Sequence, residues 1–356
     1  MFTTMQTRKQ FLKNSLAMAA GYSFLHGFAN DVRAQKTERN FTFDLHCHPG
    51  RLFASAEGGF GEVGSTKTVT DMKNAHLSGA FFSLVADSPL IKLGATGVLI
   101  TGKFAPGEAW KEYQRQMKDM TNFLGNVSVN IGKQKKDLKN SQQLTAYLSV
   151  EGGDFLEENP DKVDEAYQDG VRSIQLVHYV PNKVGDLQTS EPINNGLSAF
   201  GKELVRKMNK LGMLIDVAHA DYQTVKDVVS VTDSPIMLSH SILEMEADRP
   251  IAKRAISKEY AKLIAQTGGI IGAWPSGFNK SFEEYVENTL RLVEVVGVDH
   301  VGIGTDMDGN FKPVLSSYNQ YPTFAESLKT KGLSSTEVEK IMGGNAKRVI
   351  GKILKT

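Results

Sequence analysis

The 356-residue chain holds a single cysteine, Cys47, which excludes any disulfide within it. A chain of this length can bury a core large enough to stand without such cross-links. Charge of one sign is equally scarce: 41 Lys and Arg against 40 Asp and Glu leave a net charge of +1. Four of the positive charges and one negative charge lie in the first 34 residues, so the rest of the chain carries −2. That balance argues against a nucleic acid held on a basic surface, and no nucleic-acid partner is expected. There is no repeat with a period of roughly 20–50 residues, and no low-complexity tract. Beyond the N-terminus no apolar run approaches the length of a membrane span, so no stable span is expected in the mature chain.

What is there begins with an N-terminal segment that reads as an address. Residues 7–13 form a basic stretch containing Arg8, Lys9 and Lys13. An apolar, small-residue run follows, from Ser15 to about Ala29, and Val32-Arg33-Ala34 offers a small-x-small cleavage site. This order is that of an export signal, with a twin-arginine character in which Lys9 takes the second arginine position. Residues 1–34 are therefore expected to direct export to the periplasm or the outside of the cell, and 35–356 to form a single domain.

Within that domain an apolar strand, a loop and a helical pattern recur eight times. Strands are expected at 41–46, 79–86, 144–150, 171–177, 212–217, 235–239, 269–274 and 300–305. They are short, rich in Val, Ile and Leu, and almost continuously apolar, as strands buried on both faces are. Helices are expected at 107–124, 198–211, 221–229, 258–266 and 282–295, with two more at 335–342 and 345–354. Eight alternations predict an α/β fold, a (β/α)₈ TIM barrel, with a doubly wound open sheet as the alternative. The two long connections at 49–66 and 88–106 would lie over the C-terminal face as a lid.

Reactive side chains gather at the ends of these strands. His46 and His48 close the first, Glu151 the third, His178 the fourth, His219 the fifth, His240 the sixth and Asp306 the eighth. The C-terminal ends of barrel strands converge on one mouth, so residues far apart in sequence meet there. A buried carboxylate must be paired or bind a cation, and Glu151 sits among imidazoles. Imidazole and carboxylate donors without thiolate suit Zn²⁺, with Mn²⁺ or Co²⁺ as alternatives. One carboxylate among four histidines suggests two metals per chain bridged by it, able to activate a shared water. Asp306 is then placed to take a proton from that water and pass it on, as general base and acid. Asp308 reads as a loop cap. Taken singly, each histidine could equally be a satisfied core residue.

In this order the elements resemble the membrane (renal-type) dipeptidase family of amidohydrolase-like barrels. They are Asp44 to His48, Val150-Glu151-Gly152-Gly153, His219, Ser239-His240-Ser241, Gly302 to Gly309 and Gly343 to Val349. The resemblance runs from about Phe41 to Ile350. It implies a zinc-dependent hydrolase of free dipeptides, L-Xaa-L/D-Xaa. It implies that Glu151 bridges two ions, with His46 and His48 on one and His219 and His240 on the other. It also implies that His178 hydrogen-bonds the developing oxyanion and that Arg249 pairs with the substrate carboxylate, a role suited to a planar guanidinium. It leaves room for a homodimer.

Three departures stand out. His48 occupies a position where many members have Asp, the stretch from His240 to Arg249 is short, and strand seven ends in Ala273-Trp274-Pro275 rather than with a tyrosine. The rival readings are a metal-dependent nuclease or another amidohydrolase of the same barrel superfamily. A mononuclear deaminase would need its Glu in a helix motif, and a carbamate-bridged hydrolase a lysine at a strand end, which is absent. A binding protein that has lost catalysis would lack a member of the set, and none is missing.

Overall fold

The computed structural model describes residues 39–54, 60–94, 97–245 and 253–356. The segment read as an export signal, 1–34, lies outside them, as does Arg249. Eight parallel strands follow one another in chain order: β1 (Phe43–Cys47), β2 (Gly79–Val85), β3 (Thr145–Glu151), β4 (Val171–Gln175), β5 (Leu214–Asp216), β6 (Met237–Leu243), β7 (Ile270–Ala273) and β8 (Val301–Ile303). Each pairs with its neighbour in parallel. The ring closes where the Asp306 amide donates to the His46 carbonyl at 2.8 Å and the His48 amide to that of Met307, also at 2.8 Å. The barrel and all eight expected strands are present.

A helix follows every strand: α1 (Lys67–Asn74), α2 (Glu108–Asn126), α3 (Asp161–Asp169), α4 (Ala199–Leu211), α5 (Tyr222–Val231), α6 (Lys258–Gln266), α7 (Phe282–Val296) and α8 (Tyr321–Thr330). Ser198, Asp221, Ser257 and Ser281 cap four of them, each side chain accepting a backbone N–H of the first turn. Their short polar side chains mark those starts in the sequence. By contrast α1, α3 and α8 received no bounds from the sequence beyond the recurring alternation. The first two are short, and α3 buries only Val163 and Ala166, so few apolar residues mark them in the sequence.

Alternation along the strands divides the core. On β3, Leu148 and Val150 join the apolar layer that also contains Val163 of α3 and Leu204 of α4. Ser149 and Glu151, between and beyond them, occupy the other face and are buried too. At the opposite end of the barrel, Phe43, Phe81, Tyr147, Leu214 and Met237 pack with Val349 and Ile350 of the C-terminal helix α10 (Asn345–Ile353), which follows α9 (Ser335–Glu339). The apolar layers at that end support the polar upper one.

The strand ends lie one or two residues from expectation, except the sixth, which lies four residues farther on. The sixth strand was expected to stop at Ser239, but β6 runs to Leu243 because Ile242 and Leu243 pair with Ala255 and Ile256, which carries His240 inside the strand. The 88–106 connection holds a hairpin of Ile91–Gly94 and Gly97–Ile100. No helix among the described residues is long and apolar enough to cross a membrane.

Candidate metal centre

The barrel mouth brings together every described member of the expected set. His46 and His48 place their Nε2 atoms 3.1 Å apart, and His219 and His240 place theirs 3.2 Å apart. Glu151 lies between the pairs. Its Oε1 is 3.4 Å from His46 Nε2, 3.5 Å from His219 Nε2 and 3.9 Å from His240 Nε2, while its Oε2 is 3.4 Å from His48 Nε2. His178 Nε2 approaches Oε1 at 3.5 Å, and Asp306 Oδ1 approaches His48 Nε2 at 3.3 Å. All are buried.

Three overlapping groups have ligand atoms within 4.8 Å of one another: His46, Glu151 and His240; His46, His48 and Asp306; and Glu151, His178 and His219. Such overlap is consistent with a two-ion site. The groups do not divide into the two histidine pairs that the resemblance implies, since His46 clusters with both halves.

The donor chemistry fits cations. His48 Nδ1 lies 3.0 Å from the Ser83 carbonyl, which can only accept, so this nitrogen carries the proton of the neutral ring. Its Nε2 then turns a lone pair inward toward His46. Tetrahedral ligands about 2.0–2.1 Å from a zinc ion lie about 3.3 Å apart, close to the separations observed. Without a cation the electrostatics conflict. Burial lowers the His48 pKa, yet the Asp306 and Glu151 carboxylates overcome this and raise it to about 10. Burial, reinforced by neighbouring cations, holds His219 and His240 well below the usual histidine range. Burial would raise Glu151, but His178 and His46 pull it well below the usual carboxylate range.

Two loops that carry residues of the cluster are held in unusual backbone. His219 and Asp306 have φ of 66° and 53°, the left-handed region that side chains other than glycine seldom adopt. Gly309 permits the close approach beside Asp306: a Cβ there would lie 2.6 Å from both Asp306 Oδ1 and a carbon of the His48 ring. Asp308 turns away from the centre. It accepts from the Gly50 amide and the Thr68 hydroxyl and pairs with Arg51, which ties the loops after β1 and β8 together.

Four contributors have no role assigned from the sequence, although Asp44 and Trp274 fall within segments singled out there. Asp44 Oδ1 accepts from the His46 and Thr305 amides, and its Oδ2 from the Thr305 and Tyr318 hydroxyls, so it staples β1 to the end of β8. Asp87, fully buried, holds His178 Nδ1 at 2.6 Å and accepts the Tyr179 and Val180 amides. Arg254 is buried, its Nη1 donates to Gln188 Oε1 at 2.6 Å, and its Nε and Nη2 have no partner among the described residues. It is electrostatically coupled to Glu151, His219 and His240, and burial lowers its pKa. Trp274 packs beside it and beside His240, and its Nε1 also has no partner among the described residues. Nothing local in the sequence marks Arg254, which is carried inward by the pairing of Ala255 with β6.

A cavity of about 560 Å³ opens over this cluster. His48, Glu151, His178, His219, His240 and Asp306 form its floor, and Trp274, Phe278 and Phe311 line one flank.

The family model described as membrane dipeptidase, peptidase family M19, matches residues 40–356. Dipeptidase tcpJ of Claviceps purpurea is 33% identical over 194 residues, which are 52% of this chain and 45% of that protein. An uncharacterized dipeptidase of Schizosaccharomyces pombe, C3A11.10c, is 27% identical over 295 residues, 78% of this chain and 71% of that protein. The match to the first thus spans under half of that relative's length. A metallo peptidase from Rhodobacter sphaeroides, solved with a phosphinate mimic of the dipeptide L-Ala-D-Ala, shares the fold. Its TM-score is 0.73 at 17% identity, covering 88% of this chain and 99% of that one.

Proposed function

The chain belongs to the membrane dipeptidase family, and on that footing we propose that it is a zinc-dependent dipeptidase cleaving free L-Xaa-L/D-Xaa dipeptides. The observation that carries the reading is the convergence of four imidazole Nε2 atoms on the single carboxylate of Glu151, all within 3.9 Å. Two ions held there by His46, His48, Glu151, His219 and His240 would supply Lewis acidity and an activated water. Mn²⁺ or Co²⁺ could take the same donors.

The protein's own groups divide the remaining work. Asp306 sits on the rim of the cluster and moves the proton from water to the leaving amine. His178 presents Nε2 to the developing oxyanion, with Asp87 holding its other nitrogen. The unpartnered donors Arg254 Nε and Nη2 and Trp274 Nε1 take the substrate's terminal carboxylate, the role that the sequence alone gave to Arg249. A fixed carboxylate site one residue beyond the scissile bond selects dipeptides over longer chains. Export of the mature chain from residue 35 and a homodimer complete the proposal.

The test compares free dipeptides with their C-terminal amides and with tripeptides. Only free dipeptides should be turned over, and equal activity on amides would remove the carboxylate anchor from the scheme. Arg254→Ala deletes a charge-assisted interaction worth about 1.5–3 kcal/mol and should lower kcat/KM by about 10- to 150-fold with metal content intact. The same loss in Arg249→Ala but not in Arg254→Ala would return the role to Arg249.

Asp87→Asn should lower kcat by about 10- to 100-fold with metal content and KM little changed, because it loosens the orientation of His178. Unchanged kcat would mean that Asp87 serves the fold alone.

A further inference from the structure

The cavity has a second wall whose chemistry differs from its floor. On the β1 and β2 side it is built by Phe53, Phe60, Val85, Ile91, Leu93 and Val98. No described residue of this wall carries a charge. The hairpin supplies half of it by simple register: Ile91 pairs with Ile100 and Leu93 with Val98, so these four share one face, while Lys92 and Leu99 share the other. Ile91 packs in an apolar cluster with Phe53, Val85 and Val180. Leu93, farther out on the same face, is still 41% exposed. Phe53 joins this wall to the metal centre. Its ring stacks edge-on against His48 at 5.1 Å and against Phe60 at 5.2 Å.

The position of this wall decides which part of a substrate meets it. Arg254 enters from the segment after β6, whereas Phe53 and the hairpin lie on the loops after β1 and β2. In a ring of eight strands, β2 stands opposite β6. With the substrate carboxylate at Arg254 and the scissile carbonyl over Glu151, the N-terminal residue extends toward the apolar wall. We propose that Phe53, Phe60 and the Ile91, Leu93 and Val98 side chains of the hairpin form the recognition pocket for the N-terminal side chain and select bulky apolar residues there. This rests on the dipeptidase reading above. The physical grounds are that an apolar side chain gains by covering Leu93 and Val98, whereas a charged one would lose water without finding a partner.

The experiment is a panel of dipeptides on the unaltered, metal-loaded enzyme: Phe-Ala, Leu-Ala, Ala-Ala, Asp-Ala and Ala-Phe. Phe-Ala and Leu-Ala should exceed Ala-Ala in kcat/KM by about 10- to 100-fold, and Asp-Ala should be the poorest. Leu93→Asp, at an exposed position, should cut the ratio of Phe-Ala to Ala-Ala by about tenfold. Equal rates on Phe-Ala, Ala-Ala and Asp-Ala would overturn the pocket while leaving the dipeptidase reading intact. A preference for Ala-Phe over Phe-Ala would overturn it by placing the apolar wall beyond the wrong side of the bond. Turnover of none of the five would overturn the dipeptidase reading itself, and the pocket with it.

Discussion

Glu151→Gln should strip the enzyme of both ions and lower kcat/KM by at least about 1,000-fold. Among the described carboxylates it alone pairs within 4 Å with the Nε2 atoms of His46, His48, His219 and His240 at once. Glutamine keeps the shape but loses the negative charge and turns one of the two ligating oxygens into an N–H donor. Two cations in a buried site would then be held by neutral imidazoles and Asp306 alone, and charge that is buried without compensation is strongly disfavoured. Elemental analysis of purified protein reads the loss directly: about two ions per chain in the parent, fewer than one in the variant. Two ions and near-parental activity in Glu151→Gln would show that the carboxylate does not bridge.

Asp306→Asn should have a comparable effect on rate by a different route. Turnover should fall by about 100- to 10,000-fold, with KM within a few-fold of the parent, because the amide can neither accept nor return the proton. Metal content separates the two roles open to this side chain. Asp306 also forms a candidate ligand group with His46 and His48, so loss of an ion along with activity would make it a ligand rather than a proton carrier. Retention of both ions with loss of turnover is the result expected of the proton carrier. The left-handed backbone at Asp306 favours asparagine nearly as well as aspartate, so the substitution should leave the loop in place.

The eight strands were legible because each is buried on both faces, and continuous apolar runs of five to seven residues report that directly. Likewise the metal cluster was legible from one consequence of barrel geometry, that strand ends meet. His46, Glu151, His219, His240 and Asp306 could be grouped without knowing a single contact. The short, mostly polar helices α1 and α3 were not legible, nor was the hairpin, whose apolar residues look like ordinary loop residues until their register is known.

What the sequence determined by itself, then, is the ring of strands and the donor set at its mouth, since both follow from patterns within a few residues of one another. The tertiary structure alone decided that Arg254 turns inward, which carboxylate orients His178 and which loop walls the cavity. Arg254 is inward because Ala255 and Ile256 pair with β6, and Asp87 reaches His178 across 91 residues of sequence. Such contacts depend on where separate loops land relative to one another in space. That placement is set by packing and pairing between distant segments, for which neither local periodicity nor side-chain type carries a signal.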